Sequence, residues 1–290
     1  MTVLAPDRLD DALAALAGDP ALTVLAGGTD LMVEVNYGRR RTEDVLSLRR
    51  LERLRRWHVE PRPGGGDEVV LGARVTYSDM LGADLARALP ALAQAARTVG
   101  SPQIRNTGTL GGNLVTGSPA GDTLPVLAAL DATVELASAA GRRRLPVRDF
   151  LLGPKRTARR PDELVVAVRV PVAGGPPEFL KIGVRNAMVI SVASCALVVD
   201  RERRAVACAL GSVGPTPVRD HAAELWVMTR LPWDGRHRPH PSVVEGFGRR
   251  MAAASRPIDD HRATAAYRRH AVGVLARRAL ERAWDRSAAA

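Results

Sequence analysis

The sequence TLGGNLVTGSPAGD (109–122) joins a glycine pair to side chains that carry hydroxyl, amide and carboxyl groups. It ends a longer segment, residues 101–122, that is rich in Gly, Ser, Thr, Asn and Pro. This composition predicts a loop, because these residues favour turns over regular elements. Loops of this length inside a compact domain are usually functional. The segment is therefore the first place to look for a binding site.

A second glycine pair lies in LAGGTDLM (25–32), between a short apolar run and a predicted helix at 31–35. By itself this segment has two interpretations, a tight turn or an anion site made of outward-facing N–H groups. A single ligand with a pyrophosphate and sugars could use both glycine segments. The backbone N–H groups would then hold phosphate oxygens. A carboxylate would accept from sugar hydroxyls and avoid the phosphates, since like charges repel.

Other nucleotide and catalytic motifs are missing from the sequence. It has no G-x-G-x-x-G after a predicted strand, no Walker A motif, no H-E-x-x-H and no G-x-S-x-G. The six histidines do not have the spacing of metal ligands, and His237 and His240 are expected at the surface. Because no nucleophile and base form a recognisable pair, we name no catalytic residue and no metal ligand.

The chain has 290 residues, 46% of them hydrophobic, which favours two or three domains. The N-terminus lacks a signal peptide and no apolar run reaches membrane-spanning length, so a cytoplasmic protein is expected. Cys195 and Cys208 are the two cysteines. They are too few for a disulfide framework or an iron–sulfur cluster, and are interpreted as small core residues in apolar strands.

The net charge of +11 comes from 42 Lys+Arg against 31 Asp+Glu. The arginines are scattered and only 3% of residues are aromatic, which argues against nucleic-acid binding because single-strand binders need stacking aromatics. An acidic protein partner fits this charge better. Two residues, Lys155 and Lys181, are the only lysines.

The order of predicted elements indicates three units. Residues 1–57 alternate strand and helix signals, as in a small α/β unit. Residues 58–175 contain further helices and a hairpin formed by 133–137 and 142–147. Residues 176–290 follow a Gly-Gly-Pro-Pro break and begin with three predicted antiparallel strands, at 178–184, 191–200 and 204–211. Two predicted helices end the chain, at 243–254 and 259–284.

Four stretches carry a resemblance to a known family: 25–32, GSPQIRNTGTLGGNLVTGSPAGDTLPVLAALDA (100–132), LKIGVRNAMVISVASCALVVD (180–200) and PIDDHRATAAYRRHAVGVLARRALERAW (257–284). Together they resemble the FAD-binding medium subunit of molybdenum hydroxylases, the xanthine dehydrogenase and aerobic carbon monoxide dehydrogenase type. The resemblance implies an α+β fold. A vanillyl-alcohol-oxidase-type (PCMH-type) FAD-binding domain of two α/β subdomains would precede a small C-terminal domain with a three-stranded antiparallel sheet and a helical bundle.

The same resemblance implies which residues bind FAD. The first FAD segment corresponds to Leu25, Ala26, Gly27, Gly28, Thr29, Asp30 and Leu31, and the second to Thr109, Leu110, Gly111, Gly112 and Asn113. Thr116 and Asp122 are implied to contact the flavin nucleotide, Leu164 to pack near the isoalloxazine, and Lys181 to lie near the flavin. The alternative for Lys181 is an exposed lysine on an edge strand. Many relatives carry an Asp-Ile pair where this chain has Val189-Ile190-Ser191.

The implied function is electron transfer inside a heterotrimer. A large partner subunit would carry the molybdenum cofactor and a small one the [2Fe-2S] clusters, and FAD here would pass electrons to NAD or another acceptor. The two-cysteine count agrees, because this chain cannot supply cluster ligands. Two alternatives stay open: a stand-alone FAD-dependent oxidase or dehydrogenase, and a non-enzymatic protein that keeps the fold.

Overall fold

The computed structural model describes residues 2–234 and 237–289. The first unit alternates strand and helix, as predicted, and its strands form a parallel sheet of order β1-β3-β2. Its elements are β1 (Thr2–Leu4), α1 (Leu9–Gly18), β2 (Thr23–Leu25), α2 (Leu31–Asn36) and β3 (Asp44–Ser47). Helix α1 buries Ala12, Leu13 and Leu16, one apolar face at helical spacing, in a core shared with the second sheet. By contrast, α2 has no buried residue.

The second unit contains an antiparallel sheet of order β4-β5-β10-β6-β7. Its strands and helices are β4 (Trp57–Pro61), β5 (Asp67–Gly72), α3 (Ala83–Ala88), α4 (Pro90–Thr98), α5 (Pro102–Thr107), α6 (Leu110–Thr116), α7 (Thr123–Ala129), β6 (Thr133–Ser138), β7 (Gly141–Pro146), α8 (Val147–Phe150), β8 (Leu151–Gly153), β9 (Arg156–Thr157) and β10 (Leu164–Pro171). The predicted hairpin is confirmed by the register Ser138↔Gly141.

Strand β10 joins the two units because it has an apolar face toward each of two cores. Leu164 and Val166 pack with α1 in the first core, whereas Val165, Val168 and Val170 pack in the core of the second unit. A shift of register between Val165 and Ala167 turns Val168 away from the side that Val166 faces. A strand with two apolar faces requires a layer on each side. The boundary between the first and second units is thus a packed interface at β10.

The prediction of a loop over 101–122 was wrong, because the segment contains the helices α5 and α6. Each helix has its own cap: the Ser101 Oγ accepts from the N–H of Ile104, and the Thr109 Oγ1 accepts from the N–H of Gly112. Gly117 ends α6 with φ 55°. Residues typical of loops are also residues typical of helix ends, and here two short helices follow one another.

The C-terminal unit has a four-stranded sheet, β11-β12-β13-β14, within the described residues. The prediction was three strands, and the two-residue strand β14 is too short to show a sequence pattern. The elements are β11 (Pro177–Ile182), β12 (Ala193–Asp200), β13 (Ala205–Gly211), β14 (Val218–Arg219), α9 (His221–Met228), α10 (Pro241–Ala254) and α11 (Ala265–Ala289). Helix α11 starts six residues later than the predicted residue 259, because 259–264 form a turn around the Asp260 carboxylate.

This sheet is packed on both faces, which explains why every residue of β12 is buried. Ala196 and Val198 belong to the core of the second unit, while Cys195, Leu197 and Val199 belong to the C-terminal core with α10 and α11. The predicted core location of both cysteines is confirmed: Cys195 and Cys208 are fully buried, with their Sγ atoms 3.6 Å apart. None of the helices in the described ranges has both the length and the hydropathy needed to cross a membrane.

Candidate functional site

The two glycine segments line one cleft between the first and second units, with a volume of about 420 Å³. That volume lies within the usual range for small-molecule sites. The predicted residues that line it are Ala26, Gly27, Gly28, Thr29, Asp30, Leu31, Thr109, Gly111, Gly112, Asn113, Thr116 and Leu164. The structure therefore brings together segments that are about eighty residues apart in the chain.

Gly27 is the residue at which the two segments touch. A Cβ atom at this position would lie 2.0 Å from the carbonyl oxygen of Thr107, far closer than any real contact. Gly28 follows with φ 73°, a conformation that glycine adopts without strain. A hydrogen bond of 3.3 Å from the Thr116 Oγ1 to the Asp30 Oδ2 adds a second link. The glycine pair is therefore explained by close backbone contact at Gly27 as well as by the turn at Gly28.

The first segment presents unused backbone donors. Among the described residues, no acceptor is bonded to the N–H groups of residues 27–31, which lie between the end of β2 and the first turn of α2. Successive N–H groups at such a junction suit an anionic ligand. The anion-site interpretation of LAGGTDLM thus gains a physical basis in the arrangement of its donors.

The glycine pair of the second segment has no free N–H groups, contrary to the prediction that its N–H groups would hold phosphate oxygens. The N–H of Leu110 donates to the Val75 oxygen and that of Gly111 to the Ala73 oxygen, both at 2.9 Å. The N–H of Gly112 donates to the Thr109 Oγ1 at 3.1 Å. Gly111 is needed for packing, since a Cβ there would lie 2.7 Å from the Ala73 Cβ. This segment forms the opposite wall of the cleft.

Thr109 sets the start of α6, and its replacement tests that role. We expect Thr109→Val to lower the free energy of unfolding by about 1 to 2 kcal/mol, because the Gly112 N–H loses its cap. Thr109→Ser keeps the oxygen and should remain close to the wild type. Chemical denaturation of the three proteins measures the difference. Equal losses in both variants would contradict the capping role.

Several charged residues at the cleft escaped the sequence analysis. Lys155 and Glu34 come from opposite walls and form an ion pair of 2.7 Å at the edge of the cleft. This hydrogen bond holds the pKa of Glu34 below its usual value. Arg159 donates to three backbone oxygens, those of Arg160, Pro161 and Glu163, and burial lowers its pKa. In the sequence, the only indication of these charged residues was that lysine is rare in this chain.

Four predicted residues do not line the cleft: Leu25, Leu110, Asp122 and Lys181. Leu110 is fully buried, and the Leu25 side chain packs beside Gly28. Asp122 and Lys181 instead bind each other, with 2.5 Å between the Lys181 Nζ and the Asp122 Oδ2. A direct contact of these residues with a flavin stays a prediction, since in this arrangement their charges are directed at one another.

The Asp122–Lys181 pair is buried between the second and C-terminal units. The side chains are 4% and 8% exposed, so the alternative of an exposed edge-strand lysine was wrong. The Thr98 Oγ1 also donates to the Asp122 Oδ2, at 2.9 Å. The Asp122 Oδ1 is buried and has no partner among the described residues. Burial raises the pKa of Asp122 even though Lys181 acts in the opposite direction.

The departure at 189–191 lies in the turn between β11 and β12. The Val189 side chain packs on Gly183, where a Cβ would lie 2.4 Å from the Val189 Cγ1. The Arg185 guanidinium donates to the backbone oxygens of Ala187 and Met188, which fixes the turn. Ile190 is half exposed. The Val189 and Ile190 side chains are apolar, so these two positions supply no carboxylate to the turn.

Comparison with protein families decides the identity of the chain. The family described as "FAD binding domain in molybdopterin dehydrogenase" matches residues 1–173, and "CO dehydrogenase flavoprotein C-terminal domain" matches residues 178–283. This chain is an FAD-binding subunit of the molybdenum hydroxylase family. The resemblance and the α+β fold inferred from the sequence are confirmed, and the subunit belongs to an oxidoreductase.

Individual relatives support the assignment over nearly the whole FAD-binding subunit. The glyceraldehyde dehydrogenase medium chain of Sulfolobus acidocaldarius is 32% identical over 279 residues, which covers 95% of both chains. The carbon monoxide dehydrogenase medium chain of Hydrogenophaga pseudoflava is 31% identical and covers 98% of this chain and 97% of the relative. A solved structure of that organism's carbon monoxide dehydrogenase superposes with a TM-score of 0.86 at 29% identity, covering 99% of this chain and 98% of the other.

The cleft of this FAD-binding subunit fits FAD, the family's cofactor. Its free N–H groups at 27–31 suit the pyrophosphate, and its apolar part, with Leu22, Val24 and Leu164, suits a planar ring. Gly27 leaves space that a Cβ would fill at the junction of the two walls. The free N–H groups, the apolar part of the cleft and the space at Gly27 thus agree with a flavin nucleotide.

Proposed function

We propose that this chain is the electron-transfer subunit of a molybdenum hydroxylase complex. In this proposal a large partner subunit oxidises the substrate at its molybdenum cofactor and a small partner subunit carries iron–sulfur clusters. Electrons reach the FAD-binding subunit and leave it for NAD or another acceptor. Support comes from relatives named as medium chains of dehydrogenases and from similarity to a structure described as Cu,Mo-CO dehydrogenase. A cytoplasmic location stays a prediction.

The observation that carries the proposal is the row of unused N–H groups at 27–31, facing a cleft built from two distant glycine segments. These amides would bind the pyrophosphate oxygens. Gly27 would keep the two walls in contact, and Thr109 would hold α6 in place. Bound FAD supplies the redox chemistry, whereas the protein supplies binding, orientation and electrostatics.

Electrostatics in the cleft would favour a dianionic ligand with neutral sugars. Arg40, Lys155 and Arg159 line it and would offset the charge of two phosphates. The Asp30 carboxylate, which already accepts from Thr116, could accept a second hydrogen bond from a sugar hydroxyl. A cation near the reduced flavin would stabilise its negative charge and raise its potential. For Lys181 we expect this effect to be small, because Asp122 lies within 2.5 Å of its charge.

The test uses the chain co-expressed with the large and small subunits of a molybdenum hydroxylase from the same genome. We expect the purified complex to show flavin and iron–sulfur absorbance together, and anaerobic substrate to bleach both. The FAD-loaded chain alone should stay oxidised when xanthine, carbon monoxide, nicotinate or glyceraldehyde is added. Reduction of the isolated chain by one of these would instead establish a stand-alone dehydrogenase.

A Gly27→Ala chain provides the matched control for this complex. It should still assemble with the partners, since Gly27 lies inside the cleft between the first and second units. Its complex should show iron–sulfur absorbance without flavin, and substrate electrons should stop at the clusters. Unchanged electron delivery to NAD by a flavin-free complex would contradict the proposed role of this subunit.

A further inference from the structure

Tyr77 is a residue of the cleft wall that the sequence analysis did not single out. Its side chain lines the cleft and is only 5% exposed. The ring edge packs against Gly108, where a Cβ would lie 2.7 Å from the Tyr77 Cε2. The Tyr77 N–H also donates to the Gly108 oxygen at 3.2 Å. Glycine at 108 therefore makes room for the ring, and the backbone bond fixes its position.

The Tyr77 side chain is buried, and its hydroxyl has no hydrogen-bond partner among the described residues. Buried tyrosines usually bond their hydroxyl, so an unused one facing a cleft indicates a ligand. Burial, with the nearby carboxylates of Asp30 and Asp122, raises the pKa of Tyr77. The phenol thus keeps its proton at neutral pH and can donate.

We propose that the Tyr77 hydroxyl donates a hydrogen bond to an uncharged oxygen of the bound flavin nucleotide, either a sugar or ribityl hydroxyl or a ring carbonyl. This contact rests on the proposed function, because it requires a flavin nucleotide in the cleft. A phosphate is disfavoured as the acceptor because the Asp30 carboxylate near the hydroxyl makes its surroundings negative, whereas Asp122 is already paired with Lys181. The phosphates are assigned to the amides of residues 27–31 instead.

The test compares Tyr77→Phe with Tyr37→Phe in the full chain. Tyr37 is 72% exposed and does not line the cleft, so its variant is a matched control for loss of a phenol oxygen. Titration of FAD into the FAD-free proteins, followed by flavin fluorescence, should give a Kd about 5- to 30-fold higher for Tyr77→Phe. Tyr37→Phe should match the wild type within about twofold.

The spectrum of the bound flavin separates the two acceptors. A shifted visible band in Tyr77→Phe would place the bond on a ring carbonyl, and an unshifted band with the raised Kd would place it on a hydroxyl. An unchanged Kd would overturn the contact while leaving FAD binding intact. Failure of the wild type to bind FAD would overturn the proposed function itself, and the contact with it.

A second measurement removes the dependence on the variant's folding. The chain has three tyrosines, so Cζ-labelled wild-type protein should give three resonances. Tyr37 and Tyr267 are at least half exposed, and their signals are identified by Tyr37→Phe and Tyr267→Phe. Addition of FAD should shift the third signal. If that signal is unmoved by saturating FAD, Tyr77 does not bond the cofactor.

Discussion

Gly27→Ala is expected to weaken FAD binding at least about 100-fold. The added Cβ would lie 2.0 Å from the Thr107 carbonyl oxygen and 2.7 Å from its carbon, so backbone on one wall must move. The walls relieve this clash by moving apart, and FAD binding must bring them back together. Overpacking costs up to about 3 kcal/mol when the neighbour is rigid, and a loss of that size on binding corresponds to the stated factor. Fluorescence titration with FAD measures it.

Gly18→Ala is the matched control for this change. Gly18 is the last residue of α1, it has an ordinary φ, and a Cβ there would meet no atom within 4 Å. Its variant should bind FAD as tightly as the wild type. A Gly27→Ala protein that binds FAD within a few-fold of the wild type would show that the two walls need not touch, and the account of the cleft would be wrong.

Lys181→Met is expected to lower the free energy of unfolding by about 3 to 5 kcal/mol at neutral pH. It leaves the Asp122 carboxylate buried without its partner, and unpaired buried charges are costly. Burial already raises the pKa of Asp122 above 3.8, and loss of the cation raises it further. A carboxyl with a raised folded pKa destabilises the fold as pH rises from its unfolded to its folded pKa, so the defect should be smaller at acidic pH than at neutral pH.

Lys155→Met is the control, since Lys155 is the other lysine and its ion pair is exposed. Surface pairs contribute little, so this variant should remain within about 1 kcal/mol of the wild type at either pH. The double variant Lys181→Met with Asp122→Asn should be more stable than Lys181→Met alone, because no charge is left buried. Denaturation curves at both pH values measure all three. A pH-independent loss in Lys181→Met would contradict the role assigned to Asp122.

The sequence predicted most of the strands because apolar residues dominate them, although β10 departs from a period of two at its register shift. Strand β10 has two apolar faces, and the hairpin of β6 and β7 turns at Gly141, a glycine with φ 141°. Helix α6 was missed because its residues, TLGGNLVT, have the composition of a loop. Gly111 is required by its contact with Ala73, a residue distant in sequence that no local pattern reveals. Gly112 is required by its contact with the Thr109 Oγ1.

The sequence predicted which two segments form the candidate site, but it did not predict how they are arranged in space. Glycine pairs flanked by hydroxyl groups indicated a nucleotide, and the structure brings both to one cleft. Which segment has free N–H groups depends on the contacts of Ala73 and Val75, residues far from either in the sequence. The pairing of Asp122 with Lys181 is likewise a contact between units. Charge complementarity over such distances has no local signal.

Amide hydrogen exchange with and without FAD tests the central claim, that FAD binds in this cleft through the first glycine segment. Because the N–H groups of 27–31 have no acceptor in the described chain, we predict fast exchange without FAD and strong slowing at one FAD per chain. Peptides over 110–112 should change little, since those N–H groups are already bonded. Unchanged exchange at 27–31 in the FAD-saturated protein would contradict the claim.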